Sequence, residues 1–151
     1  FKHLAMNRIR YKLVDQDGIR FDLPANLEMQ TPIPQLWAIA SDHKTAFLVE
    51  VDPDPVIWEA TQELLRRPLP TSPSMESRVC RRGVVSAPYP GYELAFETRI
   101  IEPDLVTWQW DMTFDANGIR VYCRARGPGP FEKSERLWRH VIDSLRVAPK
   151  S

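Results

Sequence analysis

The sequence predicts an α+β domain in which an antiparallel β-sheet is packed by two main helices. Three observations carry that reading: period-two alternation of apolar and polar residues over most of the chain, turn-forming clusters between the alternating runs, and two stretches at helical spacing. The order is four strands, a helix, four strands and a second helix, and hairpin-length connections favour antiparallel pairing.

Ile9, Tyr11 and Leu13 alternate with Arg10 and Lys12. Asp15-Gln16-Asp17-Gly18 supplies a turn, and Ile19, Phe21 and Leu23 resume the alternation up to Pro24, which cannot donate to a ladder. Leu36 to Ala40 and Ala46 to Val51 read as two more strands around the polar turn Ser41-Asp42-His43-Lys44. At Asp54-Pro55 an N-cap residue followed by proline announces a helix, with Val56, Ile57, Ala60, Leu64 and Leu65 as its inward stripe. Pro68 stops it, and Pro68 to Ser77 reads as a loop within the domain.

Val79 to Ala87 and Tyr92 to Ile101 follow as strands, then Val106 to Phe114 and Ile119 to Arg126 form a hairpin around Asp115-Ala116-Asn117-Gly118. Trp108, Trp110, Met112 and Phe114 share one face. A four-residue turn would pair Phe114 with Ile119, Met112 with Val121 and Trp110 with Cys123. A three-residue connection at Pro103-Asp104-Leu105 would pair Ile100 with Trp108 and Phe96 with Met112, and would set Glu97 against Asp111. After Gly127-Pro128-Gly129-Pro130, a last helix carries Leu137, Trp138, Val141, Ile142 and Leu145 on one stripe.

The 151 residues fit one domain over residues 6–151, and Phe1 to Ala5, which precede Met6, read as a segment foreign to the native chain. Hydrophobic residues make up 43% and charged residues 26%, the balance of a globular protein. Lys plus Arg equals Asp plus Glu at 20 each, so no overall field attracts nucleic acid or an anionic membrane. No apolar run reaches the length of a membrane span, and no signal peptide pattern follows Met6, so a cytoplasmic location is expected. Cys80 and Cys123 lack CxxC spacing and are expected as reduced thiols.

Catalytic chemistry finds little support. There is no GxSxG elbow and no phosphate-binding GxxxxGK[ST] loop, and Cys80, Cys123, His43 and His140 are scattered singly, unlike a structural zinc set. No catalytic, cofactor-binding or metal-ligating residue is assigned. Arg81 and Arg82 flank Cys80, but in a strand they point to opposite faces. Trp108, Trp110 and Trp138 belong to the core, which leaves Trp37 and Trp58 as surface candidates.

The informative polar feature is the face opposite those tryptophans. Glu97, Arg99, Asp111, Arg120, Tyr122 and Arg124, with Glu93, Gln109 and Arg126, would form a charged plane, and with Trp37 and Trp58 they are the candidate partner-binding residues. The alternative is a solvated face held by cross-strand charge pairs.

Two segments resemble a known family. Asp17-Gly18-Ile19-Arg20-Phe21-Asp22-Leu23-Pro24 resembles the opening strand of the Mog1/PsbP-like superfamily, which includes bacterial DcrB-like domains. Trp138-Arg139-His140-Val141-Ile142-Asp143-Ser144-Leu145-Arg146 resembles its closing helix, with Leu145 where phenylalanine is usual. The resemblance implies a mostly non-enzymatic protein binder; the superfamily includes a small-GTPase-binding protein, a photosystem subunit, lipoproteins and chaperones for type VI secretion effectors. No lipobox-like cysteine stands near the start, and Arg outnumbers Lys 15 to 5, which directs the analogy to a bacterial cytoplasmic adaptor, chaperone or immunity protein. Its expected partner is a secreted effector or toxin encoded nearby, or a second copy in a homodimer. The competing expectation is a small-molecule-binding domain or divergent hydrolase with a pocket between sheet and helices, near Trp37, His43 or His140.

Overall fold

Two tight hairpins set the frame, and both turn within two residues. In the computed structural model, which describes residues 9–30, 35–40 and 42–149, β1 (Tyr11–Gln16) pairs with β2 (Ile19–Pro24) from Gln16 against Ile19. Likewise β8 (Leu105–Ala116) pairs with β9 (Ile119–Pro128) from Ala116 against Ile119. Asp17 (φ 54°) and Gly18 (φ 81°), and Asn117 (φ 57°) and Gly118 (φ 87°), take the paired positive φ of a type I′ turn, whose twist matches that of the strands. The four-residue turns expected from composition are corrected accordingly. Phe114 meets Val121, Met112 meets Cys123 and Trp110 meets Ala125, a two-residue slide that leaves the same side chains on the same face.

The remaining elements are β3 (Leu27–Gln30), β4 (Gln35–Ala40), β5 (Ala46–Val51), α1 (Pro55–Arg66), β6 (Met75–Val85), β7 (Gly91–Ile100), α2 (Glu132–Asp143) and β10 (Arg146–Val147). Seven strands form one antiparallel sheet in the order β3-β4-β5-β9-β8-β7-β6, and β1-β2-β10 form a second, smaller sheet. The expected α+β class, with helices packed on antiparallel sheets, is therefore observed. Short β3 and β10 are additions to the predicted order, as is the separation of the first hairpin into its own sheet.

The core fills the space between the large sheet, α2 and the small sheet. Trp110, Met112, Phe114, Val121, Cys123, Phe47 and Val49 are buried on the large sheet, where Trp138 of α2 stacks on Phe47 at 5.4 Å and Phe131 meets Trp110 edge-on at 5.2 Å. Phe21 of β2 meets Phe47 in a T-shaped contact at 5.4 Å. The small sheet is also clamped to α2 by polar bonds: Asp22 N–H donates to Ser144 Oγ (2.8 Å), and the Asp22 carboxylate faces His140 Nε2 (2.9 Å).

The connection between β7 and β8 departs most from expectation. Residues 101–104 form it, so Ile100 pairs with Leu105 and Glu97 with Trp108, while Asp111 pairs with Leu94. That odd displacement moves the β7 side chains to the opposite faces. Glu93 and Glu97 join the tryptophan face, Leu94 and Phe96 the other, and the predicted Glu97–Asp111 opposition does not exist.

The glutamates are accommodated by β6. A bulge at Cys80 places Arg78 opposite Glu97 and Arg81 opposite Ala95. Each arginine then ties β7 to α2: Arg78 to Glu97 (2.9 Å) and Glu132 (2.8 Å), Arg81 to Glu93 (3.3 Å) and Glu135 (2.8 Å). Arg82 points to the opposite face, toward the Arg67 carbonyl at 2.5 Å, as alternation predicts.

Candidate functional site

The second face of the large sheet carries α1. Asp54 caps the helix by accepting the Val56 N–H at 2.8 Å, with Pro55 at the first helical position. Only Trp58 and Leu65, two turns apart, are buried along it. The guanidinium of Arg120 lies 5.3 Å from the Trp58 ring centre, and that of Arg66 lies 4.1 Å from the Tyr92 ring centre.

This orientation corrects two expectations. Trp58 is 9% exposed, not a surface ring. Three members of the expected inward stripe, Val56, Ile57 and Leu64, are 78%, 53% and 60% exposed. The face beneath α1 mixes Arg120 and Tyr122 with Leu94, and with Trp58 packed against Arg120 and Leu65 on the cavity wall beside Leu94, the remaining aliphatic residues of the helix face outward.

Beside α1 the sheet carries a buried carboxylate at the centre of a hydrogen-bonded cluster. Asp111 Oδ1 accepts from Tyr122 Oη (2.8 Å) and Arg124 Nε (2.7 Å), while Oδ2 accepts from Gln109 Nε2 (2.7 Å). Burial, then the charge of Asp111, pushes the Tyr122 phenol up from its ordinary value. For Arg124, burial opposes the charged form, but Asp111 overrides it and the net direction is up. With donors on both oxygens, Asp111 positions Arg124 and Gln109 more than it offers a base.

Among the described residues, two cavities open on this face and share Phe96 and Gln109. One, of about 440 Å³, lies between α1 with its following loop and the Asp111 cluster, with Leu64, Leu65, Leu69 and Leu94 among its walls. The other, of about 290 Å³, reaches the turn at His43 and Lys44 and is edged by Arg126. Together they form a groove along the part of the sheet that α1 leaves uncovered.

Of the predicted partner-binding residues, Asp111, Tyr122 and Arg124 stand together in the groove, and Arg120 lies on the same face against Trp58. Glu97 faces α2, accepting the Phe131 N–H at 2.6 Å, and Arg99 pairs with Asp104 at 2.9 Å away from the groove. The backbone of Trp37 pairs with Leu48 and Gln30, and its side chain lies outside the described residues. Lys44 and Leu69 were not singled out. In sequence Lys44 signals only a turn, and a three-residue connection after β7 would send Leu94 and Phe96 to the core face instead of the groove.

The other reactive residues are held in place structurally. The Tyr11 ring stacks on His140 at 4.0 Å, and Ser144 Oγ donates to the Val141 carbonyl. Burial raises the thiols of Cys80 and Cys123, despite Arg78 near Cys80.

Antiparallel sheets packed by two helices, with the first hairpin closed by β10, define an α+β domain whose fold is shared with solved structures of Mog1. No protein-family model and no curated protein matches the sequence. Solved structures do. The Saccharomyces cerevisiae Ran-binding protein Mog1p is similar over 93% of this chain and 96% of its own, at 10% identity and a TM-score of 0.58. A point mutant of Mog1 covers 94% and 98% at 9% identity and a TM-score of 0.59. LpqN of Mycobacterium tuberculosis, involved in cell envelope biogenesis, covers 97% and 95% at 13% identity and a TM-score of 0.52. No helix among the described residues is long and apolar enough to cross a membrane.

Proposed function

We propose that this chain is a non-enzymatic protein-binding domain, acting as a bacterial cytoplasmic adaptor, chaperone or immunity protein for a secretion system such as type VI. The observation that carries the binding role is the outward apolar stripe of α1, Val56, Ile57 and Leu64, beside an open groove. Exposing such side chains together is unfavourable unless a partner covers them. The similar fold of Mog1p, a Ran-binding protein, supports the same reading by analogy.

Isolation of the tagged chain from its native host tests this reading. A stoichiometric partner encoded by a neighbouring gene is expected. Recovery of the chain alone under gentle conditions would contradict it.

A second reading rests on the cavity of about 440 Å³ with Asp111 in its wall, a size at which small molecules bind. It predicts a thermal shift with a metabolite panel, lost in Asp111→Asn, and no shift across the panel would remove it.

A further inference from the structure

The groove has a definite charge pattern. Among the described residues, Asp111 is the one acidic residue lining either cavity, and it is buried and bonded to Arg124. Arg67, at the edge of the larger cavity, pairs with Glu63. Lys44 and Arg126 are exposed, and among the described residues neither side chain forms an ion pair; the Asp42 carboxylate of the same turn accepts the Lys44 backbone N–H at 2.9 Å. Glu50, cross-strand from Tyr122, is buried and has an interaction of its own. One end of the groove is therefore apolar, between Leu64, Leu69, Leu94 and Phe96, and the other end is cationic.

We infer that this groove receives an acidic, apolar segment of the partner protein. A Leu- or Phe-like side chain enters the cavity beside α1, and an Asp or Glu carboxylate lies between Lys44 and Arg126. The apolar contact supplies affinity; the cations set orientation and speed encounter, an effect that weakens with salt. The inference rests on the protein-binding reading above and names the partner chemistry that the reading leaves open.

The test is selection of a displayed library of random twelve-residue peptides against the full chain. Selected peptides are expected to carry Asp or Glu next to Leu or Phe, to weaken with ionic strength, and to bind Lys44→Glu/Arg126→Glu on the order of tenfold less tightly. Both positions are exposed, so folding should survive. Leu64→Asp, also exposed, tests the apolar end independently and should weaken the same peptides. No enrichment, or peptides that bind both variants as well as the parent, would overturn the inference. A native partner held undiminished by both variants would also overturn it while leaving the protein-binding reading intact. Absence of any native partner would defeat both.

Discussion

The indole N–H of Trp110 donates to Glu93 Oε1 at 3.0 Å, joining a core tryptophan to a buried carboxylate. Arg81 at 3.3 Å and Arg139 at 3.7 Å complete the cluster, and the Glu93 side chain is 7% exposed. Removing Glu93 takes the acceptor from the buried Trp110 N–H, while Arg81 keeps Glu135 (2.8 Å) and Arg139 keeps Asp143 (3.6 Å), so the cost is about 1–3 kcal/mol. Glu93→Ala is therefore expected to lower the urea midpoint sharply. An unchanged midpoint would show that the cluster is not what joins β7 to α2.

Trp108 offers the opposite case, since its Nε1 is buried and has no hydrogen-bond partner among the described residues. Substitution by phenylalanine removes an unsatisfied donor there, whereas at Trp110 it removes a satisfied one and takes one donor from the buried Glu93, which keeps Arg81 and Arg139. Trp110→Phe should cost about 1–3 kcal/mol more than Trp108→Phe in denaturant unfolding. Equal costs would contradict the assignment.

The rotation of α1 is tested by paired substitutions. Ile57→Gln and Leu64→Gln replace exposed residues with a good helix former and should change stability by no more than about 0.5 kcal/mol. Leu65→Ala, at a buried position, should cost about 2–5 kcal/mol. The reverse order of effects would restore the stripe that periodicity predicts.

Tyr122 gives a pH signature. Its phenol is raised from 10.0 by burial and by Asp111, so the folded state favours the neutral form. That contribution is present below pH 10 and is lost as pH rises through the folded value. Tyr122→Phe should flatten the alkaline fall in stability. A slope identical to that of the parent chain would show that Tyr122 does not titrate with unfolding.

Much of this was legible in sequence. The alternation of Trp108, Trp110, Met112 and Phe114 fixed a core face, and it survived a two-residue slide because a side-chain period of two tolerates even shifts. It did not survive the odd shift at residues 101–104, and so Glu93 and Glu97 were assigned to the wrong face. Charged residues alternating with Leu94 and Phe96 looked outward-facing because the arginines that partner them, Arg78 and Arg81, come from another strand and depend on a bulge. The groove was half visible, through Asp111, Tyr122 and Arg124. Its other half needed the placement of α1, which a tryptophan and a cation on a distant strand decide, not helical periodicity.

Hydrogen exchange on the full chain, alone and in complex with the partner isolated from its native host, tests the docking face most directly. The account predicts new protection in α1 and the loop through Leu69, in β9 around Tyr122 to Arg126 and at the turn holding Lys44, with the β6 edge unchanged. Protection confined to β6 or the small sheet, with α1 and the Lys44 turn exchanging as in the free chain, would contradict it.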